Sequence, residues 1–148
     1  MTKDYGPPLQ RPYQCFMGRW EGLNKTFTPK GDFIESTAVH MEVYWVNDNT
    51  WHLWESFESF YPLGKPIVFD TDIQVDGKFC WGENELIRLD GSMLTPFNYV
   101  FTIYSDVSNT VVYNNHYFID PNQRRIITHK VKDGKTVTYQ IQDFVRVG

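Results

Sequence analysis

Hydrophobic and polar residues alternate along most of the chain with a period of two, plainest in Val39-His40-Met41-Glu42-Val43. Successive side chains of a strand point to opposite faces, so this period predicts strands and not helices. Runs rich in Val, Ile, Thr, Phe, Tyr and Trp fall at 16–28, 32–46, 50–60, 66–75, 78–82, 84–89, 92–104, 110–119, 124–132 and 135–147. Turn signals separate them: Pro29-Lys30-Gly31, Asn47-Asp48-Asn49, Pro62-Leu63-Gly64, Asp76-Gly77, Asp90-Gly91, Asp106-Val107-Ser108-Asn109, Asp120-Pro121-Asn122 and Asp133-Gly134. Asp-Gly pairs favour two-residue hairpins because both central positions tolerate positive φ. No run carries a sustained helical period with caps; a short helical turn is expected within 9–17.

Nine or ten sequential strands joined by tight turns form a meander. Closing it on itself removes the open edges, so the expected fold is all-β: one antiparallel up-and-down barrel over residues 15–148. A polar, proline-rich arm, residues 1–14, leads into it. The 148 residues fit one domain, and a barrel of more than eight strands has room for a ligand beside its own side chains.

Two ends of the chain carry a further signal. Gly18-Arg19-Trp20-Glu21-Gly22 opens the first strand, and Phe144-Val145-Arg146-Val147 closes the last. Gly18, Trp20 and Arg146 together resemble the structural signature of the calycin superfamily of lipocalin-like barrels. That resemblance implies that Trp20 lies across the closed end of the barrel with the Arg146 guanidinium packed on its indole. Gly-Arg-Trp-Glu-Gly, then Thr28-Pro29-Lys30-Gly31-Asp32 and Glu35, is similar to small cyanobacterial and plant-type lipocalin-like proteins over roughly the first 50 residues. That group brings no defined activity. Asn24 stands where nitrobindin-type haem barrels carry a third glycine of their opening motif.

Composition narrows the partners. Aromatic residues make up 17% of the chain, which fits strands and an interior lined by flat side chains. Lys and Arg total 14 against 18 Asp and Glu, and the largest basic cluster is Arg124-Arg125, which argues against nucleic acid. No stretch nears the roughly 18 apolar residues of a membrane span, and the first residues have no apolar leader segment. A cytoplasmic protein with reduced thiols at Cys15 and Cys80 is expected, acting as a monomer or homodimer.

Candidate chemistry follows from assigning faces. On 124–132, Ile127, His129 and Val131 share a face that the alternation assigns to the interior. On 135–147, Val137, Tyr139, Ile141 and Val145 do the same, and Tyr139 then lies beside His129 across the Asp133-Gly134 hairpin. An internal His129–Tyr139 pair has the makings of a general base and acid, or of polar anchors. On 50–60 either Trp51, Leu53, Glu55 and Phe57 face inward, or His52, Trp54, Ser56, Glu58 and Phe60. Either choice sets a carboxylate, Glu55 or Glu58, among aromatic rings, where desolvation raises its pKa. On 110–119, Tyr113 and Asn115 stand opposite Asn114 and His116. Asparagine is poor strand material, so an amide aimed at a ligand and a bulge at a barrel bend are both open. Arg88 is a candidate partner for an acidic ligand group, and His40 is expected outside. A metal centre drawn from His52, His116 and His129 is the least supported of these constellations.

Three functions remain. The first is a barrel that binds a small, largely apolar, conjugated or polycyclic molecule without a cofactor. The second is a cofactor-independent isomerase, cyclase or lyase acting on such a molecule by His, Glu or Tyr acid–base chemistry. The third is a haem barrel with His129 as axial ligand.

Overall fold

The computed structural model describes residues 11–105 and 109–148. Most of the polar arm and the turn residues 106–108 lie outside them. A short 3-10 turn, Gln14–Phe16, precedes ten strands: β1 (Gly18–Phe27), β2 (Phe33–Asn47), β3 (Thr50–Phe60), β4 (Lys65–Asp76), β5 (Phe79–Glu83), β6 (Ile87–Thr95), β7 (Asn98–Ser105), β8 (Thr110–Asp120), β9 (Gln123–Lys132) and β10 (Lys135–Arg146). Each strand pairs antiparallel with its sequence neighbours, and β1 pairs with β10 to close the barrel. Of the predicted hairpins, Asp133-Gly134 has positive φ at both positions, 51° and 75°.

One predicted turn is not a turn. Asp90-Gly91 lies inside β6, which runs on to Thr95, and the reversal comes at residues 95–98. A Cβ on Gly91 would stand 2.5 Å from Phe101 Cδ1 and 2.7 Å from Cys80 Sγ. The glycine is there to let a ring and a thiol cross the strand closely, not to reverse the chain.

The alternation that predicted the strands also sets the core. On β2, Val39, Met41, Val43 and Trp45 are buried while His40, Glu42 and Tyr44 are only half-buried. The closed end is filled from below by the segment before β1. Tyr13, which falls in the predicted arm, is fully buried, and so are Phe16 and Met17. Tyr13 donates its hydroxyl to the Lys78 carbonyl at 2.8 Å, and Trp45 Nε1 donates to Gln14 Oε1 at 3.0 Å.

Above this plug Trp20 spans the floor, its Nε1 donating to the Phe16 carbonyl at 2.9 Å. The Arg146 guanidinium lies 4.3 Å from the indole centroid, as the resemblance implied. Gly18 has φ 127°, and a side chain there would run into that guanidinium. Both cysteines are free thiols, with Cys15 Sγ 3.5 Å from Tyr99 Oη.

Candidate functional site

A cavity of about 820 Å³ opens inside the barrel above the Trp20 floor. Its mouth is at the end where Tyr61, Pro62 and Leu63 link β3 to β4 and Lys132 ends β9. That volume lies within the usual range for a small-molecule site. The inward face of each strand decides the lining, and the lining divides in two. From β3 to β7 the wall is apolar, with Leu53, Phe57, Ile67, Phe69, Ile73, Leu89, Phe101 and Ile103. From β8 to β10 it is largely polar, with Asn114, His116, Arg124, Thr128, Lys130, Gln140 and Gln142.

Arg124 stands at the base of the polar wall and is 1% exposed. Its guanidinium lies 4.5 Å from the Trp20 ring, 5.0 Å from Phe16 and 5.2 Å from Phe118. Ring faces carry negative charge density, so this aromatic cage stands in for a counter-ion. Burial still lowers its pKa to about 10. Nε and Nη1 have no acceptor, and no ion pair to Arg124 occurs among the described residues. His116, also buried, packs 4.8 Å from Phe101 and 5.4 Å from Phe16. Desolvation, and then the nearby Arg124 charge, hold its imidazole well below its ordinary pKa, so it is neutral near pH 7. Higher on the wall, Thr128 donates to Asn114 Oδ1 at 2.8 Å. Lys130 lies 4.7 Å from the Phe60 ring, and burial lowers its pKa.

Glu55 faces this arrangement from the apolar wall, opposite Met41 on β2 and Phe69 on β4. Its carboxyl has no hydrogen bond or ion pair among the described residues, and the space it reaches is the cavity. Desolvation pushes its pKa up to about 7 against a smaller opposing pull from Arg124. A carboxyl poised near neutrality on the wall of the cavity can hold or give up a proton at physiological pH.

On β3 the open choice is settled: Trp51, Glu55 and Phe57 point inward, while Trp54 and Glu58 point outward, Glu58 to within 3.6 Å of His40. His40 is outside, as expected. On β8, Asn114 and His116 line the cavity, whereas Tyr113 and Asn115 are on the outer face. Arg88 is a correction: it lies outside, 4.7 Å from the Tyr104 ring, because its neighbour Leu89 takes the inward position.

The largest correction concerns His129 and Tyr139. They are neighbours across the hairpin, with stacked rings 5.0 Å apart and Tyr113 beside them at 6.0 Å. The stack is on the outside of the barrel, Tyr139 is 38% exposed, and His129 Nε2 bonds Thr136 Oγ1 at 2.6 Å. The residues of β9 and β10 that line the cavity are Arg124, Ile126, Thr128, Lys130, Lys132, Val137, Thr138, Gln140 and Gln142; Val137 alone keeps its expected place, at the irregularity between Thr136 and Thr138. The face assignment was inverted because β9 has an isoleucine on each face, Ile126 inside and Ile127 outside, so hydrophobicity could not choose between them. A polar cavity wall also reads, in sequence, like a solvent face. With His129 outside, the haem reading loses its axial ligand, and of His52, His116 and His129 only His116 enters the cavity. Among the described residues no group of three or more His, Cys, Asp or Glu is disposed to hold a metal. Arg124 and Lys130 escaped the sequence reading. The signal was their shared parity with Ile126, visible only once the register with β8 and β10 is known.

No family model and no curated protein matches the chain. Solved structures do. The S-type phycobiliprotein lyase CPES from Guillardia theta superposes with a TM-score of 0.71 at 12% identity, covering 92% of this chain and 90% of that one. A DUF3598-family protein of unknown function from Nostoc punctiforme gives 0.75 at 13% identity; the chain covers 53% of it, about half its length, by 96% of its own. Rv2717c from M. tuberculosis gives 0.65 at 10% identity, covering 90% and 94%. The fold is that of the calycin, lipocalin-like barrels.

Proposed function

We propose that the barrel binds a small, largely apolar molecule in its cavity. The observation that carries this reading is the lining itself: an aromatic and aliphatic wall on one side, and converging polar groups on the other, around about 820 Å³. A flat or extended conjugated guest suits it, because Phe57, Phe69 and Phe101 offer ring faces and Trp51 closes the deep end. The test is titration with polyene and polycyclic aromatic compounds, read by quenching of intrinsic Trp fluorescence. Saturable quenching at micromolar concentration, weakened by Phe101→Trp filling the cavity, is the expected result. A broad panel that leaves the fluorescence unchanged overturns it.

A second reading has its own observation. Glu55, unpaired and with a pKa pushed up to about 7, shares the cavity with neutral His116, so an acid–base enzyme of the isomerase, cyclase or lyase class is compatible with the interior. One protein of this fold is named a phycobiliprotein lyase; at 12% identity that is a precedent for activity on the fold and transfers no residue. The reading requires that Glu55→Gln retain guest binding while abolishing conversion of the guest.

A further inference from the structure

The charges that reach the cavity do not balance. Arg124, Lys130 and Lys132 line it against one carboxyl, Glu55. Arg124 has its aromatic cage, and Lys132 is exposed at the mouth, where water serves it. Lys130 has one ring, Phe60, in place of a cage. Its half-buried side chain lines the cavity and has no ion pair among the described residues. Holding a charge in low-dielectric surroundings without an anion costs free energy, which an anion arriving with a ligand returns.

Resting on the binding-barrel reading, we propose that the guest is an amphipathic organic anion whose carboxylate pairs with Lys130 on the polar wall. Its apolar body then lies across the cavity against Leu53, Phe57, Phe69 and Ile103. The neighbours of Lys130 fit the role. Val112 and Thr138 flank it in register on β8 and β10, and Asn114, whose Oδ1 already accepts from Thr128, keeps an amide N–H₂ for a second carboxylate bond. Lys132 at the rim draws an anion toward the mouth. Glu55 is on the opposite wall. Burial keeps much of it protonated near neutral pH, so it repels the incoming carboxylate less than a free glutamate does.

The test compares cis-parinaric acid with its methyl ester, two tetraenes that differ in the charge of one end and report binding by their own fluorescence. The expected result is that the natural chain binds the acid at least about tenfold more tightly than the ester. Lys130→Met should abolish that preference, the acid losing more affinity than the ester, and Lys130→Arg should restore it. Circular dichroism on each variant checks that the barrel is intact. Acid and ester bound equally by the natural chain, or a preference that survives in Lys130→Met, overturns the carboxylate assignment alone. Neither compound bound, with both failing to displace one another from any site, overturns the binding reading itself.

Discussion

Arg146 and Trp20 lock the two ends of the chain together. The guanidinium lies 4.3 Å from the indole centroid and donates to the carbonyls of Cys15, Met17 and Pro121, so one side chain joins the last strand to the plug, the first strand and the β8–β9 turn. Trp20 is 1% exposed. Trp20→Ala should destabilise the barrel by about 3–5 kcal/mol, the usual cost of truncating a buried aromatic. Arg146→Ala should cost about 1–3 kcal/mol, since it leaves carbonyls without donors. Urea unfolding followed by Trp fluorescence measures both, and a loss under about 1 kcal/mol for Trp20→Ala contradicts the role given to the pair.

Gly91 gives a second prediction, since the chain there has ordinary strand geometry and the constraint is purely one of space. Gly91→Ala drives a methyl against the Phe101 ring and the Cys80 sulfur, both buried. Overpacking of this kind costs about 1–3 kcal/mol. Gly134→Ala, with open space but φ 75°, isolates the backbone penalty for comparison. If Gly91 were a turn residue its replacement would shift hairpin geometry instead, and thermal unfolding of Gly91→Ala combined with Phe101→Leu would show no recovery.

The pH dependence of stability should carry the mark of Glu55. Its pKa rises from 4.5 to about 7 on folding. Between those values the folded protein holds a proton that the unfolded chain has released, so stability is greatest below pH 4.5 as far as this group is concerned. It falls as pH rises to about 7 and levels off above, by up to about 3 kcal/mol. Glu55→Gln keeps the shape and removes the ionisation. Denaturation between pH 5 and 8 should therefore show a flatter profile for Glu55→Gln and a more stable variant at pH 8. Parallel profiles for the two proteins would contradict a desolvated, unpaired carboxyl facing the cavity.

His129 and Tyr139 supply the contrast. They stack on the outer face, away from the cavity. His129→Ala and Tyr139→Ala should each leave guest affinity within about twofold and cost about 1 kcal/mol or less, the scale of an exposed cross-strand pair. A large loss of binding with the fold intact would restore the inward assignment.

Most of the strands, their sequential order and the closed end were legible in the sequence; the exception is the β6–β7 hairpin, which turns at 95–98 inside the run read as one strand over 92–104. Period-two alternation, Asp133-Gly134 at a hairpin, and Gly18, Trp20 and Arg146 at the two ends are local signals, and local chemistry is what they report. Orientation was legible only where the two faces differ: β2 alternates Val39, Met41 and Val43 with polar partners, and its faces were evident. On β9 they do not differ, since Ile126 and Ile127 sit back to back. Only closure of the barrel, which forces Thr128 beside Asn114 and His129 beside Tyr113, decides that Arg124 and Lys130 enter the cavity. The site is therefore a product of register. Arg124 and Lys130 come from β9 and Glu55 from β3, far apart in sequence, and their meeting around one cavity depends on ten strands closing in a single alignment, which no local pattern encodes.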